Sequence, residues 1–304
     1  MLTSLLVPLD GSEFSERALP LARALARATG ASLHLAHVHV PHAPDHFLGH
    51  TQFQWEGLDL DEYEQRHRKR ARSYLDSILE RIQDDGPTAD TALLEGRIRD
   101  RIADHARTVD ADLIVMTTHG HTGVSRMWLG SVADALIRTT RLPLLVLHPG
   151  EDGKVPPAVL TFRNILVPLD GSELATAVLA PVKDLAAATD ATITLAHVVS
   201  STAVVGSRLF PLLPDDVGPA MRKAVEYLEG QAEKLREEGF SVDTRVVEHE
   251  IPAKAICWTA KDADADLIAI ATHGYGGMKR AVLGSVADKV LRGSPLPLLV
   301  QRPG

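Results

Sequence analysis

The chain has 304 residues, of which 45% are hydrophobic and 24% charged, a composition that supports about two buried cores. No stretch approaches the roughly 18 apolar residues needed to cross a bilayer, and the single cysteine, Cys257, excludes an intrachain disulfide. A formal net charge of −8 argues against a nucleic-acid-binding surface but leaves room for a small phosphate ligand held by local donors.

In chain order, Ser4–Leu9 reads as a first strand rather than a secretory leader, because no basic residues precede its apolar run. With the lone cysteine, this points to a cytoplasmic location. Ser12, followed by Glu13 and Glu16, opens a helix through Ala28 that Gly30 closes. A second strand covers residues 32–40. A long helix is predicted from about Asp61 to Gln83, with Ala71, Leu75, Ile78, Leu79 and Ile82 at helical spacing and Gly86-Pro87 as its stop. A third strand near residues 92–95 precedes a helix carrying Ile98, Ile102, Ala106 and Val109 on one side. Residues 113–116 make a fourth strand, Ser131–Thr139 a last helix, and Leu144–Leu147 a fifth strand.

The pattern then starts again. Leu6-Val7-Pro8-Leu9-Asp10-Gly11-Ser12-Glu13 returns 160 residues later as Leu166 to Glu173, and Leu35-Ala36-His37-Val38 returns as Leu195 to Val198. Pro143-Leu144-Leu145-Val146 returns 154 residues later as Pro297 to Val300, so the first copy carries about six extra residues between Val38 and its glycine-rich loop. In the second copy Met221, Val225, Leu228, Ala232 and Leu235 form the predicted helical stripe. The chain is read as a tandem duplication: domain 1 over residues 1–149, a linker over 150–162, and domain 2 over 163–304. Strands alternating with helices imply two Rossmann-like α/β domains in tandem, each a five-stranded parallel sheet with helices on both faces. Strand runs that are apolar throughout fit burial on both sides.

Each copy holds one stretch with the chemistry of an anion cradle: a buried strand, a glycine-punctuated loop, and a helix opening with Ser. In the first it runs from Thr117 through Gly120 and Gly130-Ser131; in the second from Ala271 through Gly274 and Gly284-Ser285. Glycines let backbone N–H groups approach a ligand, and the positive end of the helix dipole favours phosphate. Asp10, Val38 and this loop all fall at carboxyl ends of strands, where ligands of such sheets bind.

These residues resemble the universal stress protein family, in its tandem two-domain form and specifically its ATP-binding branch. The family's loop reads Gly, two residues, Gly, nine residues, Gly, then Ser or Thr; Gly120 with Gly130-Ser131, and Gly274 with Gly284-Ser285, fit it. The resemblance implies an adenine nucleotide in each cleft: ATP, or ADP or AMP, with Mg²⁺. It places Asp10 and the backbone of Val38 at the adenosine end of the first site and Gly120, Gly130, Ser131 and Val132 at its phosphates, with Pro8, Met116 and Thr117 also counted among the binding residues. In the second site Asp170 and Val198 take the former role and Gly274, Gly284, Ser285 and Val286 the latter, with Pro168, Ile270 and Ala271 beside them. It also implies that the last strands, at 144–147 and 298–300, pair within the chain, with a homo-oligomer as a further possibility. It gives no role to a membrane or to nucleic acid. The first motif glycine is replaced by Thr117 and Ala271, which would strain both sites if that position required φ > 0.

Blander readings stand beside these. Asp10 and Asp170 can cap the helices that follow, and Ser131 and Ser285 can be plain N-caps. His119 and His273 lack an acidic or nucleophilic partner and fit loop packing. His34, His37, His39, His42, His46 and His50 lie within 17 residues; a solvated His-rich loop is favoured over a zinc site, since no Cys or acidic ligand has regular spacing there. The insertion with Phe47, Phe53 and Trp55 is read as a lid or a partner surface. Cys257 reads as a structural thiol, and the basic run at 66–70 as a solvated helix face. Three functions therefore compete: a nucleotide-binding stress regulator with little or no catalysis, a slow ATPase or nucleotidyl transferase using the same crevice, and a nucleotide-free interaction module. The first leads, because neither copy has a Walker lysine or a second acidic Mg²⁺ ligand.

Overall fold

The computed structural model describes residues 1–41, 60–83, 86–118, 129–148, 162–205, 208–211, 214–272 and 283–303. The first half runs β1 (Ser4–Leu9), α1 (Glu13–Glu16), α2 (Leu19–Thr29), β2 (Ser32–His39), α3 (Leu60–Gln83), β3 (Ala89–Glu95), α4 (Ile98–Thr108), β4 (Leu113–Thr117), α5 (Ser131–Thr139) and β5 (Leu144–Leu147). The second half begins β6 (Asn164–Pro168), α6 (Glu173–Thr176), α7 (Leu179–Thr189) and β7 (Thr192–Val199). It continues β8 (Thr202–Val205), β9 (Arg208–Pro211), α8 (Pro214–Glu237), β10 (Val242–Glu248), α9 (Pro252–Asp262), β11 (Leu267–Ala271), α10 (Ser285–Gly293) and β12 (Leu298–Gln301).

Ten of these strands form one sheet in the order β10-β7-β6-β11-β12-β5-β4-β1-β2-β3. Within each half of this sheet every pairing is parallel; β5 and β12 meet antiparallel, with Leu145 opposite Leu299. Each half winds outward from β1 or β6 in both directions, so the crevice lies outside the carboxyl ends of β1 and β4, and of β6 and β11.

Alternation along the strands divides the apolar side chains between two layers. Leu5, Val7 and Leu9 join a core with Leu21, Leu25, Leu75 and Ile78, from α2 and α3. Leu6 turns to the other face, with Ile102 of α4 and Leu136 and Ile137 of α5. Both cores continue into the second half, through Val182 and Leu228 on one face and Ile256 and Val290 on the other.

Four details differ from the sequence reading. The first helix is two, because Pro20 lacks the N–H that would carry the helix past Glu16; Pro181 interrupts its counterpart. The third strand begins at Ala89 rather than near residue 92, extended by its ladder with β2. In α8, Ala224 is buried and Val225 is 47% exposed, so the stripe runs one residue earlier there. The antiparallel hairpin β8–β9 was not foreseen.

Candidate functional site

At the end of β1 the chain turns through Asp10, Gly11 and Ser12. Gly11 has φ +83°, a conformation that a Cβ disfavours. Asp10 Oδ1 accepts the Ser12 amide at 3.0 Å and its hydroxyl at 2.5 Å, while Ser12 Oγ accepts the Ser15 amide at 3.2 Å. Ser12, and not Asp10, is therefore the cap of α1. The second half repeats this: Gly171 has φ +86°, Asp170 Oδ1 accepts the Ser172 amide at 3.0 Å, and Ser172 caps α6. Both aspartates hold the serine that caps the helix, and both sit at the mouth of a crevice, Asp10 half-buried and Asp170 exposed.

Behind each aspartate lies an aromatic pair. His37 and Tyr74 meet edge to face with centroids 6.1 Å apart, as do His197 and Tyr227 at 6.1 Å. His37 Nδ1 lies 2.9 Å from the Leu9 carbonyl, which can only accept, so the proton sits on Nδ1. Burial pushes the His197 imidazole below its ordinary pKa, partly offset by the Leu169 carbonyl and Asp170. Burial likewise raises the Tyr74 and Tyr227 phenols. The His37 hydrogen bond ties β2 to the end of β1, just ahead of the turn.

The crevice floor is apolar. Strand register puts Pro8 beside Ala36, and Val38 and Met116 face the same layer from the neighbouring strands. Val38, Leu94, Leu129 and Val132 are only partly buried against that layer. Pro168, Val198, Ile270 and Val286 repeat the arrangement. Leu94 and Leu129 were not singled out from sequence: Leu94 lies outside the repeated motifs, and Leu129, although matched by Leu283 in the repeated Leu-Gly-Ser run, reads as an ordinary core residue.

The two helix starts are nearly superimposable in backbone conformation. Gly130 is the N-cap of α5 with φ −57° and ψ 146°, and Gly284 that of α10 with φ −59° and ψ 143°. Among the described residues no side chain caps either helix, so Ser131 and Ser285 stand at the first helical position and are not N-caps. The amides of Ser131, Val132 and Ala133 thus have no acceptor within α5. Each glycine amide donates to the last strand's follower: Gly130 to the Thr118 carbonyl and Gly284 to the Thr272 carbonyl, both at 2.7 Å. Asp134 and Asp288 lie in the first turns, where a carboxylate would repel an anion. Arg138 and Arg292 pair with them at 2.8 and 3.0 Å and offset that charge.

Thr117 and Ala271 end β4 and β11 in regular ladders, opposite Leu147 and Gln301, and neither has positive φ. A β-branched residue is at home there, so the replaced glycines leave no backbone strain. Gly120 and Gly274, with His119 and His273, lie outside the described residues, as do His42, His46, His50, Phe47, Phe53, Trp55 and nearly all of the 150–162 linker. The described histidines have other partners: His34 meets Asp90 at 2.9 Å and His39 meets Glu64 at 2.5 Å. Among the described residues no cluster of three His, Cys, Asp or Glu could hold a metal ion. Cys257 is half-buried and burial raises its thiol pKa, which suits a structural role. Arg66 and Arg68 of the basic run pair with Glu62 and Glu95. No described helix is long and apolar enough to cross a membrane.

The fold and its two crevices define a doubly wound α/β protein with duplicated strand–loop–helix sites. The model of the Universal stress protein family matches residues 1–148 and again 161–302. A universal stress protein of Mycobacterium tuberculosis is 31% identical over 201 residues, covering 64% of this chain and 62% of the relative. Over that relative's length, then, this chain accounts for less than two thirds. A universal stress protein from Thermus aquaticus is 33% identical over 148 residues, all of its own length and 49% of this chain. The crystal structure of a universal stress protein from Archaeoglobus fulgidus shares the fold with a TM-score of 0.72 at 22% identity, covering 99% of this chain and 98% of that one. The chain belongs to the universal stress protein family.

Proposed function

We propose that each half binds one adenine nucleotide, and that the protein acts as a regulatory stress-response binding protein whose nucleotide state sets which surfaces it presents. The observation that carries this is the pair of helix starts. Among the described residues no side chain caps α5 or α10, and the topology sets both helix starts, Gly130 and Gly284, at the carboxyl ends of β4 and β11 beside a partly buried apolar floor. Phosphates fit the amides of Ser131 and Val132, and of Ser285 and Val286. The adenine ring fits against Pro8, Val38 and Met116, or Pro168, Val198 and Ile270. Asp10 and Asp170 stand where a ribose hydroxyl can donate to them. The donor set at each helix start is neutral, so Mg²⁺ would be carried by the phosphates with at most the Ser131 or Ser285 hydroxyl as a protein ligand. It would supply charge neutralisation there.

The binding units are residues 1–149 and 163–304, held together in solution by the β5–β12 seam, and the protein works in the cytoplasm. ATP is the first expectation among ATP, ADP and AMP, with hydrolysis slow or absent. Native purification, denaturation and chromatography of the released supernatant tests the reading, together with calorimetric titration of ATP and Mg²⁺. Two equivalents bound support it; no nucleotide released and none bound on titration removes it.

A further inference from the structure

Gln301, at the end of β12, faces both halves of the chain. Its carbonyl accepts the Thr272 amide at 2.9 Å, and the Thr272 carbonyl accepts the amide of Gly284, the N-cap of α10, at 2.7 Å. Its side chain reaches the other way. Nε2 donates to the Arg141 carbonyl at 2.9 Å and to the Arg302 carbonyl at 2.9 Å. Arg141 lies just beyond the end of α5, and Arg302 Nη1 donates to the carbonyl of Thr139, the last residue of α5, at 3.2 Å.

Topology makes this reach possible. Because β12 runs antiparallel to β5, its carboxyl end meets the amino end of β5, where Val300 lies opposite Leu144. The helix α5 starts at the first crevice and runs back across the sheet to that same end. The C-terminus of the first phosphate helix therefore lies beside the strand end that supports the second crevice. On the same face, Asp288 of α10 joins Asp134 in stabilising the charged Arg138 guanidinium.

The Gln301 side-chain contact has no counterpart at the matching position of the first half. There Leu147 occupies the place of Gln301. Its carbonyl accepts the Thr118 amide at 3.0 Å, but its side chain is 1% exposed in the core and has nothing to donate. Gln301 Oε1 is buried and, among the described residues, has no hydrogen-bond partner. A flip of the amide would set that oxygen against two carbonyl oxygens. The amide orientation is thereby fixed, with Nε2 on the carbonyl beyond α5.

We propose that the two phosphate-binding helices are coupled across the seam through Gln301, a positioning residue, so that filling the second site changes the affinity of the first. This rests on the reading of both helices as phosphate-binding. An anion at the α10 amides shifts Gly284, then Thr272 and the end of β12, and alters the grip of Gln301 on the last carbonyls of α5. Linkage makes the effect reciprocal: loading the first site changes the second by the same factor.

The test is calorimetry of the full chain with ATP and Mg²⁺. The first-site dissociation constant is measured with the second site intact and with it blocked, once by Gly284→Val and once by Val286→Asp, which sets a like charge against the phosphate. Blocking should change the first-site constant about fivefold in the otherwise native chain. It should leave that constant unchanged when Gln301→Leu, the first half's own residue, is also present. Gln301→Glu, which puts a carboxylate against two carbonyls, should uncouple the sites equally and covers the case of a poorly folded Leu variant. An equal shift with and without Gln301, or no shift in the native background, overturns the coupling while leaving the nucleotide reading intact. No binding to the native chain overturns both.

Discussion

Asp10→Asn separates two roles that the geometry assigns to one side chain. In the native turn Oδ1 accepts the Ser12 amide at 3.0 Å and hydroxyl at 2.5 Å. Asparagine keeps a carbonyl oxygen for that bond, so the turn and the Ser12 cap survive. Its other atom becomes an amide nitrogen, which cannot accept from a ribose hydroxyl, and the charge is gone. A hydrogen bond to a charged group contributes about 1.5–3 kcal/mol, and each 1.4 kcal/mol is about tenfold in affinity. First-site ATP binding should therefore weaken about 10- to 100-fold by these magnitudes, with the urea midpoint nearly unchanged. Asp10→Ala should weaken binding as much and also destabilise by about 1 kcal/mol, the usual scale for a lost turn or cap. The second site, with its own Asp170, should change by no more than the coupling factor. Titration calorimetry and urea unfolding monitored by circular dichroism read the two effects independently. Native affinity in Asp10→Asn, with loss only in Asp10→Ala, would refute the ribose contact and leave Asp10 as a turn residue alone.

Gly130→Val puts a β-branched side chain at the first helix start and should reduce calorimetric ATP stoichiometry from two to one; an unchanged count would show that the first phosphate lies elsewhere. Leu145 is fully buried in the seam opposite Leu299, so Leu145→Ala should destabilise the chain by about 3–5 kcal/mol. A loss below about 1 kcal/mol by chemical denaturation would mean that the seam is open in solution. Burial lowers the pKa of His105 and His197 below the ordinary imidazole value of 6.5, so over the window beneath it the unfolded chain binds more protons and stability falls as pH drops. The urea midpoint should decrease from pH 7.5 to 5.5, and less so in His197→Gln; an identical decrease in that variant would show that His197 is not the source.

How much of this was legible in the sequence depended on the range of the interaction. Apolar runs place the inner strands of the sheet, whose residues are mostly buried, whereas the edge strands β3 and β10 are largely part-exposed and carry a weaker signal. The Asp10-Gly11-Ser12 turn was legible as a turn, since φ +83° at Gly11 needs glycine; which residue caps the helix was not. Ser131 reads as an N-cap by residue type, yet Gly130, whose amide donates to the Thr118 carbonyl, takes that position and Ser131 is the first helical residue. The role of Thr117 was obscured for a related reason. The family pattern suggests a position that needs glycine, whereas the ladder with Leu147 keeps that residue extended. Gln301 gave no signal at all: its partner Arg141 is 160 positions away, and the contact exists only because one strand pairing reverses direction.

That reversal has a consequence for how a duplicated protein can differ from a pair of identical chains. Two parallel half-sheets joined antiparallel place their crevices at opposite ends of the combined sheet, so no single ligand can span them and any communication must pass through the protein. In a symmetric pair, every contact across the seam occurs twice, and coupling through it treats both sites alike. Fusion into one chain lets the two copies of a seam residue diverge. Here the helix starts have kept the same backbone conformation to within a few degrees, while the residues closing the fifth strands have become Leu147 and Gln301. The helix-start geometry is thus duplicated and the Gln301 contact is not. On the proposed reading, one nucleotide site sets the affinity of the other with no change in the residues that hold either ligand.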